Sequence, residues 1–300
     1  MLELDETAPF FYNKNNIMIF SIEKIITKDD LILEGLFFDT NSKDVVIIFI
    51  HGFPGNFYKN INLIESIRDF GYSILSLNTR GHDILSIISK KDSEHKVIGS
   101  AKEDFEDCIF DIDGAVKFLK EKGYKKIFLM GISSGADKVG FYLSKNKDSV
   151  IKGGIFISPG SNISIIKNEL GEDFYKLMNK SLKYICEEKG DELLCDSKMD
   201  FPVSYNRFVS LYSEDSNENV FPFHDDNSNF YILSKIKKPI FVALGEEDSF
   251  FDDPKIIIKL LNNKLSNKNN EFKIFKTGHS FNGAEKELVQ EIKSWVNKIN

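Results

Sequence analysis

The stretch KKIFLMGISSGADKVGFYL, residues 125–143, decides how the rest of the chain is read. It opens with an apolar run of strand length, passes through Gly131-Ile132-Ser133-Ser134-Gly135, and continues with helical spacing. A tight turn alone would account for small residues here. The pattern G-x-S-x-G, however, fits in one register only, with Ser133 at its centre. A serine on a sharp strand-to-helix turn has a strained backbone and space only for small neighbours, which Gly131 and Gly135 provide. The helix N-terminus behind it favours developing negative charge. Ser133 is therefore a candidate nucleophile, and the turn is the means of presenting it.

Working outward, DVVIIFI (44–50) is a continuous apolar run, as expected of a strand buried on both faces. IMIFSIEKIIT (17–27) and LILEGLFFDT (31–40) predict an antiparallel hairpin at a sheet edge. YSILSLN, KKIFLM, IKGGIFIS, PIFVALG and EFKIFKTG predict further strands, alternating with amphipathic helical patterns. That alternation implies βαβ units and a mostly parallel central sheet flanked by helices, an α/β architecture. The rhythm breaks between residues 161 and 236, roughly 75 residues and too long for a plain connector. Apolar residues at 166, 170, 174, 177, 178, 182 and 185 predict a helical stripe there. The expected organisation is a core of 1–160 and 237–300 with a helical lid, 161–236, inserted before the penultimate strand.

Hydrophobic residues make up 42% and charged residues 28% of the 300, the balance of an ordinary folded domain. The formal charge of −7 is spread without blocks, which argues against a nucleic-acid partner. Arginine occurs only at 68, 80 and 207, too few for a phosphate clamp. Cys108, Cys186 and Cys195 match no metal spacing and leave one unpaired in any disulfide scheme, which favours a reducing compartment. MLELDETAPFFYNKNN lacks the positive start and apolar core of a signal peptide, and no run reaches the ~20 residues of a membrane span. The expected location is cytoplasmic, without metal or organic cofactor, and a homodimer is compatible with the sequence.

A serine hydroxyl needs a base to take its proton and a third group to orient that base. Of five histidines, His51 and His82 belong to other glycine turns and His95 and His224 to polar loops. His279, in KTGHSFNG, follows the last predicted strand and so falls on the same sheet edge as Ser133. VALGEEDSFFDDP offers Glu246, Glu247, Asp248, Asp252 and Asp253 after an earlier strand. Asp248 is preferred because Gly245 frees the turn. Glu247 is its main competitor, and Asp253 also suits a helix cap. The loop HGFPGN, directly after the buried strand 44–50, could aim the backbone N–H of Phe53 at the oxyanion of a tetrahedral intermediate. The N–H of Ser134, the residue after the nucleophile, would be the second donor.

In that order, the segments HGFPGN, GISSGA, LGEEDSFF and TGHSF resemble the oxyanion loop, nucleophile elbow, acid loop and histidine loop of the α/β-hydrolase superfamily. LNTRGHD (77–83) resembles a further loop of that superfamily, in which Arg80 would be structural. SSGADKVGFYL with RFVSLYSEDSNENVFPF resembles a branch that includes fungal siderophore esterases. The resemblance implies a lid-bearing serine esterase in which Ser133 attacks the carbonyl, His279 moves the proton and Asp248 fixes the imidazole. Its substrate would be a small or medium acyl compound. A thioesterase or amidase would use the same residues, and a non-catalytic protein that binds a small ligand on this fold is the alternative of another class.

Overall fold

Val45–Ile50 (β3) is apolar at every position, and every residue of it is buried. Successive side chains go to opposite faces: Val46, Ile48 and Ile50 join one apolar cluster, Val45, Ile47 and Phe49 another. The computed structural model describes residues 20–299 except 41, 224, 226, 227 and 229. The N-terminal stretch 1–16, the expected strand start at 17–19 and His224 lie outside them.

The other strands of the main sheet are Ser21–Ile26 (β1), Ile32–Phe38 (β2), Ser73–Leu77 (β4), Lys126–Ile132 (β5), Ile151–Ile157 (β6), Ile240–Gly245 (β7) and Glu271–Phe275 (β8). Their order across the eight-stranded sheet is β1-β2-β4-β3-β5-β6-β7-β8. All neighbours from β4 to β8 pair in parallel, while β2 is antiparallel to both β1 and β4. The antiparallel hairpin thus lies at an edge, as its sequence predicts.

Helices Ile61–Asp69 (α1) and Glu285–Ile299 (α8) cover one face; Cys108–Glu121 (α2), Ser134–Lys145 (α3) and Pro254–Lys264 (α7) cover the other. α8 shows why such helices form: it buries only Leu288, Val289, Ile292, Trp295 and Val296, one stripe at helical spacing. Ala243 pairs with Ile157, Ile157 with Ile132, and Gly131 with Ile50, so the carboxyl ends of β7, β6, β5 and β3 sit level. That row carries the loops in which the candidate residues fall.

Between β6 and β7 lie Asn162–Leu170 (α4), Asp173–Cys186 (α5) and Tyr205–Tyr212 (α6), with a two-residue ladder pairing Leu193–Leu194 and Val203–Ser204. The expected stripe is carried by two helices rather than one. Gly171, at φ +56°, takes the left-handed backbone that ends α4, and α5 starts two residues later. Ile166, Leu170, Phe174 and Leu177 still share one cluster, together with Val203, Phe208 and Leu211. Farther on, Val220, Phe221, Phe230 and Leu233 join the cluster beneath α2 and α3. No helix among the described residues is long and apolar enough to cross a membrane.

Candidate active site

β5 ends at Ile132 and α3 begins at Ser134, leaving Ser133 alone at the bend. Its backbone has φ 53° and ψ −129°, a conformation that costs an L-residue roughly 1–3 kcal/mol. The Ser133 N–H donates to the Ile157 carbonyl at 2.9 Å, tying the bend to β6. A Cβ on Gly131 would stand 2.2 Å from the Gly135 carbonyl oxygen, and one on Gly135 would stand 2.3 Å from that of Ile50. Only glycine permits this approach of β3, β5 and α3. A Cβ on Gly52 would likewise meet Ser133 Cβ at 3.0 Å, so the loop after β3 lies directly against the serine.

Asp248 and His279 come together. The Asp248 side chain is fully buried, and its Oδ2 lies 2.8 Å from His279 Nδ1. Its Oδ1 accepts the Phe250 N–H at 3.0 Å, which holds the carboxylate in the turn after β7. An ionised carboxylate can only accept, so Nδ1 carries the hydrogen and Nε2 of a neutral ring keeps a lone pair. Phe250 packs edge-on against the imidazole with centroids 4.2 Å apart. The two loops are also joined by backbone: the N–H groups of Glu246 and Glu247 donate to the carbonyls of Phe275 at 2.7 Å and Thr277 at 3.0 Å. Glu246, Glu247 and Asp252 are exposed, and Asp253 caps α7 by accepting the Lys255 N–H at 2.8 Å. No hydrogen bond joins Ser133 to His279. Such bonds are often long before a substrate tightens the site.

The other described histidines are otherwise engaged. His51 is buried against Thr79, and burial, reinforced by the nearby Lys138 charge, holds its ring down at about 3. The ring is therefore held in its neutral form near neutral pH. His82 Nδ1 lies 2.8 Å from the Thr79 carbonyl, and His95 sits in an outer hairpin of Ile87–Ser89 with His95–Val97. Arg80 is buried and bridges Asp29, Asp107 and Asp111 at 2.6–3.0 Å.

A cavity of about 250 Å³ opens at the serine, lined by Ser133, Ser134 and Phe53 and by Ile166, Leu211 and Tyr212 of the segment between β6 and β7. A larger hollow, about 720 Å³, lies against β1 and α2 and is lined by lysines and carboxylates without a serine or histidine. Sequence reasoning singled out Phe53 but passed over Gly52, whose missing side chain allows the contact. It also passed over Glu103 and Lys138, a buried ion pair at 2.7 Å near the elbow. The one available signal was an Asp-Lys pair inside an otherwise small and apolar helix.

The strand order, the parallel register and the glycine-framed serine bend together define the α/β-hydrolase fold. Solved structures of that class superpose over most of the chain. The Pyrococcus furiosus esterase Pf2001 covers 94% of this chain and 92% of its own at 22% identity, with a TM-score of 0.61. The siderophore hydrolase EstB from Aspergillus fumigatus covers 96% and 100% at 16% identity, with a TM-score of 0.64. The α/β hydrolase GrgF from Penicillium sp. sh18 covers 93% and 98% at 14% identity, with a TM-score of 0.67. At these identities the likeness is one of fold. Within the class, the chain belongs to the family described as "Protein of unknown function (DUF1749)", which matches residues 38–298. No curated protein matches its sequence.

Proposed function

We propose that the protein is a serine hydrolase that cleaves a carboxylic ester of a small or medium molecule through an acyl-serine intermediate. The observation that carries this is the pairing of the buried Asp248 carboxylate with the half-buried His279 ring, 2.8 Å apart, on the sheet edge that also presents Ser133 in a left-handed backbone. Ser133 Oγ attacks the carbonyl while His279 Nε2 takes its proton. Asp248 holds the ring in the tautomer this requires and stabilises the imidazolium that forms. The N–H groups of Phe53 and Ser134 receive the oxyanion, His279 returns the proton to the leaving alcohol, and water repeats the sequence in reverse. The segment 161–236 serves as a lid, since α4 and α6 wall the cavity over the serine.

The apolar wall of Phe53, Ile166 and Leu211 supports an uncharged acyl group. The test is hydrolysis of p-nitrophenyl esters of increasing chain length by the wild type and Ser133→Ala. The expected result is turnover in the wild type and loss of at least about 10³-fold in the variant, with the fold unchanged. Turnover retained in a clean Ser133→Ala preparation would overturn the proposal. Matched thioesters and amides in the same assay would assign the preferred acyl bond.

A further inference from the structure

The loop bearing Phe53 is held from below by a buried chain of polar groups. Arg207 on α6, 1% exposed, donates to Glu103 Oε1 at 3.1 Å, to Glu218 Oε1 at 2.8 Å and to the Ser100 carbonyl at 3.1 Å. The second Glu103 oxygen accepts from Lys138 Nζ at 2.7 Å, and Lys138 also donates to Thr79 Oγ1 at 3.1 Å. Thr79 Oγ1 lies 3.2 Å from His51 Nε2, and His51 Nδ1 lies 3.0 Å from the Gly52 carbonyl oxygen. Thr79, Glu103, Lys138 and His51 are all buried.

The direction of this chain follows from its ends. An ammonium can only donate, so Thr79 Oγ1 accepts from Lys138 and its own hydrogen is free to go to His51 Nε2. The Thr79 backbone N–H, 3.3 Å from the same nitrogen, makes Nε2 an acceptor independently. The ring hydrogen is therefore on Nδ1 and is donated to Gly52. At the other end a carbonyl can only accept. No step in the chain can be reversed.

The Gly52 carbonyl and the Phe53 N–H belong to one peptide unit, and there are no cis peptide bonds among the described residues. In a trans unit the two groups point in opposite directions across a rigid plane. Tying the carbonyl down toward His51 therefore sets where the N–H points. Gly55 leaves room for that carbonyl, since a Cβ there would stand 2.5 Å from it. Gly52 itself lies against Ser133 on its other side.

We propose that Lys138 and Thr79 are positioning residues that, through His51 and the Gly52 carbonyl, aim the Phe53 N–H at the oxyanion. Arg207 anchors the far end by holding Glu103, so the inserted segment is coupled to the oxyanion donor as well as to the cavity. This rests on Ser133 being the nucleophile. Removing an oxyanion donor outright lowers turnover about 10²–10³-fold, so loosening one should lower it less.

Thr79→Val removes the hydroxyl and keeps the branched shape; Thr79→Ser keeps the hydroxyl. The readouts are kcat and KM on a p-nitrophenyl ester, the rate of Ser133 phosphonylation by a fluorophosphonate, and thermal midpoint. The expected result for Thr79→Val is kcat and phosphonylation each down about tenfold at a KM within twofold, with Thr79→Ser restored to near the wild-type rate. If Thr79→Val does not fold, Lys138→Met combined with Glu103→Gln removes both charges and tests the same step, with the same loss expected. Thr79→Val or that pair reacting at the wild-type rate, or a loss that Thr79→Ser does not restore, would overturn the positioning role while leaving the nucleophile in place. A folded wild type that is neither phosphonylated at Ser133 nor active would overturn the underlying site and the proposal with it.

Discussion

Helices α3 and α8 pack on opposite faces of the same sheet and are built on different terms. α8 buries five apolar residues and turns the rest to solvent. α3 is buried at every position from Ser134 to Leu143, because the sheet lies on one side and Val220, Phe221 and Leu233 lie on the other. Yet α3 carries Asp137 and Lys138 in that dry setting. α8 itself contributes chiefly by apolar burial, with Trp295 Nε1 donating to the Asn269 carbonyl at 2.8 Å. The α3 face gives part of its interior to charge, and it is the face from which the serine bend and the loop bearing Phe53 are held.

If that contrast is right, the two faces should fail differently. The largest effect is expected at the site. Asp248→Asn leaves the turn after β7 intact but offers His279 Nδ1 the wrong partner, and should lower kcat by about 10⁴-fold with little change in thermal midpoint. Steady-state kinetics on the ester preferred by the wild type checks this. Equal kcat in the two proteins would remove Asp248 from the mechanism.

On the other face, Leu288→Ala on α8 opens a cavity in a fully buried cluster and should destabilise the fold by about 2–5 kcal/mol. Turnover per folded molecule should stay within twofold. Denaturant melts combined with active-site titration separate the two quantities. A specific loss of turnover would mean that the α8 face also positions the chemistry.

A smaller, pH-dependent effect distinguishes the charged interior. Burial, with the Glu218 charge added, pushes the Asp137 carboxyl well above its usual 3.8, and its Oδ1 has no hydrogen-bond partner. The folded chain therefore keeps a proton that the unfolded chain releases above about pH 4, so Asp137 costs stability as pH rises. Asp137→Asn removes that dependence. Its stability relative to the wild type should climb by up to about 1.4 kcal/mol per pH unit from pH 4 upward, until the buried carboxyl itself ionises. Urea melts of both proteins between pH 4.5 and 7.5 read this difference, and a flat one would place an ionised Asp137 in the folded chain.

The two faces also differ in how much of them sequence alone reveals. α8, β3 and the serine bend are local patterns: a stripe, a continuous apolar run, and glycines two residues to either side of Ser133. Each is set by neighbours in the chain, and each is found where the pattern puts it. The stripe expected from residue 166 onward is local as well; its residues are helical and Ile166, Leu170, Phe174 and Leu177 share one cluster, but a positive φ at Gly171 divides it between α4 and α5, which apolar spacing alone does not show. The buried charges of the α3 face are another matter. Glu103 meets Arg207 across 104 positions and Lys138 across 35, and nothing in the spacing of one chain pairs them. His51 reads as one more glycine-turn histidine until Thr79 and the Gly52 carbonyl are seen on either side of its ring.

The most direct test of the central claim is labelling with a fluorophosphonate probe, followed by peptide mapping. Such a probe reports an activated serine without the substrate being known. The expected result is one adduct per chain, on Ser133, lost in His279→Ala. A folded wild type that takes up no label, or carries it on a different residue, would contradict the assignment of Ser133 and with it the hydrolase.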